Sequence, residues 1–474
     1  MNSEIVSIIQ NLSTPKILII GDLMIDHFTW GSVSRISPEA PTPILAFEEE
    51  TFQLGGAGFT ASVLNQLGAH VDLAAVSGSD TGRETLLSML KEQGIGSEGI
   101  IVDPSRPTTR KQRLQARDTD LSSGMQQLIR VDFESTETIS GEIEQKLVSF
   151  LQENGKKYDA IIASDYAKGV LTPKVLSEIA ACKKDTPVFA DPKKGADLTL
   201  YKGFTAMKPN RHEAESYVGF PLKTKEDVIR AGKEILAKAD LDYTFISLDA
   251  EGLFYYCKQG EHLFVPTRKK EVYDVAGAGD SVLSIMAIMA NSDIPPRYLM
   301  ELANISAGIM ISQKQPKTIT REDIIHHLVI GEDNSSRKVK NANELQAILN
   351  SSDFREKKVY FTNGYFDNIS PNQIKFLEKL GQYDGIRIVA INSDSSITAA
   401  GHKPRLDEAD RLRLLQMFDC IDYIVIFDES SSDSLLKELK PNFFLKGRNY
   451  EGQEIAEAST LKDIDCAIEF VDID

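Results

Sequence analysis

The sequence predicts an α/β fold in two unequal units, the larger built on a mostly parallel sheet with a small extended lid, the smaller doubly wound. Three observations carry this. Across residues 16–330, short β-branched runs alternate with longer amphipathic ones, the pattern of strands buried between helices. Across residues 353–474 the same alternation restarts in a shorter β-α-β-α-β-α-β series. The stretch between them, 331–352, opens with GEDNSSRKVKNANELQ, polar and poor in apolar periodicity, and reads as a linker. A length of 474 residues, 42% apolar and 26% charged, suits two or three globular domains at roughly 150 residues each.

In chain order, the first unit's strands are expected at KILIIGD, VDLAAVS, DAIIAS, PVFAD, FTAMKPN and TFISLD. These runs are short, β-branched and bounded by turn residues. Helices are expected at GFTASVLNQLGA, DVIRAGKEILAKA and DSVLSIMAIMANS, where apolar residues recur at helical spacing. PTPILAFEEETFQLGG, TTRKQRLQ and QQLIRVDFE read as extended segments of the lid. The second unit reads as strands KKVYFTNG, IRIVAINSD, DYIVIF and NFFLKG, with helices PNQIKFLEKLGQY, DEADRLRLLQMF and SSDSLLKELK between them.

Charge and cysteines exclude several classes. With 53 basic and 70 acidic residues the formal charge is −17, which argues against neutralising nucleic acid or coating an anionic membrane. Cys182, Cys257, Cys420 and Cys466 stand far apart, giving neither a disulfide framework nor a C-x-x-C pair, as expected in a reducing cytoplasm. The N-terminal MNSEIVSIIQNLS lacks a basic region and a cleavage site, and no apolar run reaches the ~18–20 residues of a membrane span.

The most informative segment is Asp274-Val275-Ala276-Gly277-Ala278-Gly279-Asp280-Ser281 ahead of the apolar run VLSIMAIMA. Small residues let backbone N–H groups converge, and a helix starting there adds its positive end, so Gly277, Ala278 and Gly279 form a candidate anion hole. Asp280, in the first turn, is placed to accept a proton from an attacking hydroxyl. The same spacing also suits a tight packing turn with Asp280 as an N-cap. G-x-x-x-x-G-K-[S/T] is absent, so this is not a P-loop protein.

DVAGAGDSV, together with GDLMID, SRISPEAPTP, LGGAG, QQLIRVDFE, SDYAKGVL, ADPKKG and KPNRHE in this order, resembles the ribokinase (PfkB) sugar kinases, and within them the heptose 7-phosphate kinase branch. The resemblance covers nearly the whole first unit. It implies a ribokinase-like fold with a small β lid, ATP and Mg²⁺ as cofactors, and a sugar phosphate as the small-molecule partner. By position it makes Asp280 the catalytic base and the Gly277–Gly279 amides the γ-phosphoryl anion hole. Asn210 and Glu213 would help place Mg²⁺ and its waters, with no direct protein ligand to the metal assigned. Lys193, Ser247, Gly252 and Asn304 fall where the family contacts nucleotide, although Ser, Gly and Asn at strand ends are also common turn residues. Asp26, Gly55 and Gly56 fall on the sugar side, and Arg113 and Arg130 are suited to the acceptor's own phosphate. One departure stands out: the family's Gly-Gly-Ala-Ala-Asn-Val-Ala is here Gly55-Gly56-Ala57-Gly58-Phe59-Thr60-Ala61, which replaces an amide by a phenyl ring and leaves the acceptor open.

The second unit resembles the cytidylyltransferase-like Rossmann lobe fused to these kinases in bifunctional heptose 7-phosphate kinase/heptose 1-phosphate adenylyltransferases. Thr362-Asn363-Gly364-Tyr365-Phe366-Asp367, Ala390-Ile391-Asn392-Ser393-Asp394 and Arg411 carry the likeness. The family's His-x-Gly-His is here Ser370-Pro371-Asn372-Gln373, and its Lys-Gly-Gly-Asp-Tyr is Lys446-Gly447-Arg448-Asn449-Tyr450. The sequence also stops at VDID, ahead of the family's Ser-Thr-Thr segment. Losing both imidazoles removes the cations that stabilise the α-phosphate, so this lobe is expected to keep its fold without adenylyltransferase chemistry. The whole resemblance implies a cytoplasmic homodimer that forms a heptose 1,7-bisphosphate for ADP-heptose and lipopolysaccharide core synthesis. A fully bifunctional enzyme and a non-catalytic sugar-phosphate sensor or scaffold are the alternatives.

Overall fold

The computed structural model describes residues 2–117, 125–267, 277–292, 294–312, 318–330, 338–351 and 354–472. They fall into two compact units, Ser7–Arg321 and, together with Met1–Val6, Glu322–Asp474.

In the larger unit, strand Lys16–Gly21 pairs in parallel with His70–Ser77 on one side and Ala160–Ser164 on the other. Gly96–Val102 continues the sheet beyond His70–Ser77 to one edge. Val188–Asp191, Ala206–Met207 and Tyr243–Ser247 extend it in parallel the other way. The far edge is an antiparallel pair, Leu253–Cys257 and His262–Val265, for which the aromatic run LFYYC gave no reading in advance. Ile17, Leu18, Ile19 and Ile20 are wholly buried, as are Ile161 and Ile162. Strands apolar on both faces need helices on both faces, which explains their continuous β-branched runs. Because the central strands are parallel, their carboxyl ends bring Asp22, Asp165, Tyr166 and Asp191 to one rim, the usual place for a ligand crevice.

The lid is a second sheet of Pro43–Gly56, Leu23–Ile36, Arg110–Arg117 and Met125–Phe133, in that order. Leu23–Ile36 is its spine, antiparallel to Pro43–Gly56 and parallel to Arg110–Arg117. This 14-residue strand escapes sequence reading because it is mostly buried over its first nine residues and exposed at its end, with only a short alternation at Ile25–Thr29.

The second unit is a five-stranded parallel sheet in the order Tyr423–Phe427, Ile386–Asn392, Val359–Gly364, Phe443–Gly447, Ala467–Val471. Its last strand, which starts exposed, was not expected. The linker reading over 331–352 needs correction. Residues 331–337 and 352–353 lie outside the described residues, while Ala342–Asn350 is a helix started by an Asn341–Glu344 capping box. Its Leu345, Ile348 and Leu349 are buried in the second unit's core. The polar window ended at Gln346 and so cut this amphipathic period in half.

Candidate active site

Helix Ala278–Ile288 begins at Gly277, whose φ of 77° is left-handed and whose backbone caps the helix without any side-chain hydrogen bond. A Cβ at Gly277 would overlap the Phe59 ring, so glycine is required twice over. Among the described residues no side chain caps this start, so its first N–H groups are candidate donors for an anion. Asp280 is the third residue of the helix, not its cap, which removes the alternative raised by the spacing.

The Asp280 carboxylate is buried, and its Oδ1 accepts from Thr60 Oγ1 at 2.6 Å and Tyr166 OH at 3.2 Å. Burial, followed by the charge of Asp191, pushes the Asp280 carboxyl up to about 6, with Thr60, Lys208 and Tyr166 pulling the other way. A carboxylate tuned toward neutral pH is matched to general-base work. Tyr166 is itself placed by Asp22, whose Oδ2 accepts from Tyr166 N at 2.7 Å and Lys168 N at 3.0 Å. Beside the helix start stands Lys208, buried, its Nζ 3.2 Å from Asp191 Oδ1. A Cβ at Gly279 would lie 2.8 Å from that Nζ. Burial opposes the ammonium, but Asp191, Glu213 and Asp280 outweigh it and hold it above the ordinary lysine value.

Toward the lid, Asp26 ion-pairs with Arg113, and the guanidinium lies 5.2 Å from the Phe28 ring centre. A Cβ at Gly55 would overlap the Asp26 carboxylate, and Gly56, at φ 56°, turns the chain into helix Ala57–Gln66. Asp26, Arg113, Gly56, Phe59, Tyr166, Gly277 and Asp280 line one cleft of about 400 Å³. Arg130 does not join them. It stands across from Arg113 in the lid, yet its exposed guanidinium is held by Asp132 two residues along, at 2.8 and 3.0 Å.

Asn210 caps helix Arg211–Val218 in a capping box with Glu213: Asn210 Oδ1 accepts from Glu213 N at 2.9 Å, and Glu213 Oε2 from Asn210 N at 2.8 Å. Burial raises the Glu213 carboxyl against the pull of Lys208. Ser247, at the end of its strand, bridges to Asn210, while exposed Lys193 sits 3.8 Å from Asp165. Gly252, at φ 103°, opens the antiparallel edge beside Val265. Asn304 is not a turn residue at a strand end: it lies within helix Pro296–Ile311 and donates to Pro266 O at 2.8 Å.

In the second unit, Asn363, Gly364, Ser370, Gln373, Lys446 and Asn449 line a separate pocket of about 540 Å³. Ser370 and Gln373 form a capping box on helix Pro371–Leu380, with Gln373 Oε1 accepting from Ser370 N at 3.0 Å and Ser370 Oγ from Gln373 N at 3.3 Å. Lys446 Nζ donates to Asn363 Oδ1 at 2.6 Å, and Asn363 Nδ2 donates to Glu457 at 2.7 Å and Ser432 at 2.9 Å. Burial holds Lys446 below the ordinary lysine value against the charge of Glu457. Asn392 and Arg411 line no part of this pocket. Asn392 is turned to Ser396 at 3.0 Å, and wholly buried Arg411 ties the Tyr365 and Asn392 carbonyls to Asp394.

Residues 14–323 match the model of the pfkB family carbohydrate kinases. The chain belongs to that family. Residues 361–470 match the cytidylyltransferase-like family. The chain is 37% identical over 458 residues to "Bifunctional protein HldE" of Geobacter metallireducens, covering 96% of this chain and 92% of the relative. Its identity to the protein of the same name from Aliarcobacter butzleri is 36% over 447 residues, 93% and 92% of the two chains. Among solved structures, Escherichia coli phosphofructokinase-2 in complex with substrates and products superposes with a TM-score of 0.54 at 16% identity, over 66% of this chain and 98% of that one. Arabidopsis thaliana ribokinase complexed with ribose and ATP gives 0.52 at 15%, over 67% and 99%. These two establish the fold of the larger unit.

As a pfkB carbohydrate kinase, the chain is a phosphotransferase that uses ATP. Sequence reading left Lys208, Asp191, Thr60 and Tyr166 without roles, although all surround the pfkB-family Asp280. Lys208 and Asp191 carried a local signal, each a charge closing an apolar stretch, FTAM and VFA, at a strand end. The described residues hold no group of three metal-ligating side chains, and no described helix is long and apolar enough to cross a membrane.

Proposed function

We propose that the pfkB unit transfers the γ-phosphoryl of Mg·ATP to the anomeric hydroxyl of D-glycero-D-manno-heptose 7-phosphate, or a closely similar sugar phosphate, giving the 1,7-bisphosphate. The observation that carries this is a buried carboxylate, Asp280, on an uncapped helix start, facing one cleft with Asp26 and Arg113. Asp280 takes the hydroxyl proton as the sugar oxygen bonds to phosphorus and the bridge to ADP breaks. The Gly277–Gly279 amides and Lys208 stabilise the charge on the transferring group. Arg113 is assigned the acceptor phosphate, for which its guanidinium fork is suited. Mg²⁺ would add charge neutralisation at the nucleotide phosphates. Glu213 Oε1, the carboxylate oxygen left over by the capping box with Asn210, would help place the waters of a hard cation that keeps most of them.

For the second unit we propose a retained fold without adenylyl transfer. Its Ser370 and Gln373 are spent on capping each other's backbone. The name of the relatives favours the bifunctional alternative. One assay on the full chain tests both readings: Asp280→Asn should abolish ADP release with heptose 7-phosphate while ATP still binds. Heptose 1-phosphate with ATP should release no pyrophosphate. Turnover by Asp280→Asn sinks the kinase mechanism, and sustained pyrophosphate release sinks the loss in the second lobe.

A further inference from the structure

We propose that Thr60 is a positioning residue for phosphoryl transfer: with Tyr166 it pins Oδ1 of Asp280, so that Oδ2 alone is presented to the acceptor hydroxyl. The inference rests on Asp280 acting as the base and adds the device that aims it.

The geometry is specific. Thr60 is wholly buried on helix Ala57–Gln66, directly after the glycine pair and next to Phe59 of the cleft wall. Its Oγ1 donates to Asp280 Oδ1 at 2.6 Å, and Tyr166 OH reaches the same oxygen from beyond strand Ala160–Ser164 at 3.2 Å. Oδ2 takes no hydrogen bond from the described residues. Two donors on one oxygen, anchored on separate elements, fix the plane of the carboxylate, and a β-branched threonine has little rotamer freedom to lose. A buried hydroxyl demands a partner, and here the partner is the reacting group itself.

Electrostatics point the same way. The groups facing Asp280 are Asp191 and burial, which disfavour its charge, and Thr60, Lys208 and Tyr166, which favour it. Removing the Thr60 donor therefore weakens the ionised form and leaves the carboxylate held by the longer Tyr166 bond alone. Both effects reach kcat, while neither touches the surfaces that hold ATP or sugar.

Thr60→Val keeps the shape and deletes the donor; Thr60→Ser keeps the donor. The full chain is assayed by ADP release with heptose 7-phosphate across pH, with Asp280→Asn alongside. For Thr60→Val we expect kcat to fall about tenfold, both KM values to stay within about twofold, and the acid limb of the kcat profile to move up by about one pH unit. Thr60→Ser should restore all of these. An unchanged kcat and acid limb in Thr60→Val, with Asp280→Asn inactive, overturns the positioning role alone, as does a serine variant as impaired as the valine one. Turnover by Asp280→Asn overturns the base assignment beneath it.

Discussion

Two described helix starts that face pockets, one in each unit, treat their own backbone donors in opposite ways. Ala278–Ile288 starts at a left-handed glycine, with no capping side chain among the described residues. Pro371–Leu380 starts at Ser370, which with Gln373 satisfies the amides from within. The peptide dipole is common to both, so it does not decide which end can take a phosphate. What decides is whether the N–H groups are already occupied. The nearest cation differs in the same sense. Lys208 is held charged among Asp191, Glu213 and Asp280, whereas Lys446 is committed to Asn363 and held below its usual value.

The comparison is best broken at the cation. Lys208→Met should lower turnover by about 10²–10³-fold through lost stabilisation of the transferring charge, read as kcat for ADP release on folded protein. A loss smaller than about threefold would leave the anion hole to the amides alone. Next comes Asp280, the base proposed above. Its folded value of about 6 lies above the ordinary 3.8, so its contribution to stability is complete below 3.8 and is lost as pH rises through 6. Asp280→Asn should therefore unfold at higher temperature than the parent at pH 8, by up to ~3 kcal/mol of stability, and show little difference near pH 4. Equal melting shifts at both pH values would refute that sign. The smallest effect belongs to the closed helix: Ser370→Ala should cost about 1 kcal/mol in denaturant unfolding and gain no pyrophosphate release. A variant that gains pyrophosphate release would show that the cap alone silences the second site.

The parallel sheets were legible because strands such as Lys16–Gly21 and Ile386–Asn392 are apolar on both faces. Leu23–Ile36 was not, since its burial changes along its length and alternates only briefly. Asp280, Asp26 and Arg113 could be named in advance and share a cleft. Arg130 could be named but not placed, because its orientation depends on Asp132, a neighbour with an equal claim on it. Thr60 and Tyr166 were beyond reach: they meet Asp280 across 220 and 114 residues, and no local pattern encodes such a bond. Asn392 and Arg411 show the converse, a motif kept for holding two loop carbonyls together rather than for facing the pocket.

The network in the second pocket also bears on how adenylyl transfer, absent on the reading proposed above, could be gained. Ser370 is tied to Gln373, Lys446 to Asn363, and Asn363 to Glu457 and Ser432. Putting an imidazole at either helix position breaks a cap before it adds a useful donor, and releasing Lys446 strands the Asn363 amide oxygen. On that reading each single step back costs stability before it adds a donor, so a site that satisfies its own groups works as an evolutionary ratchet.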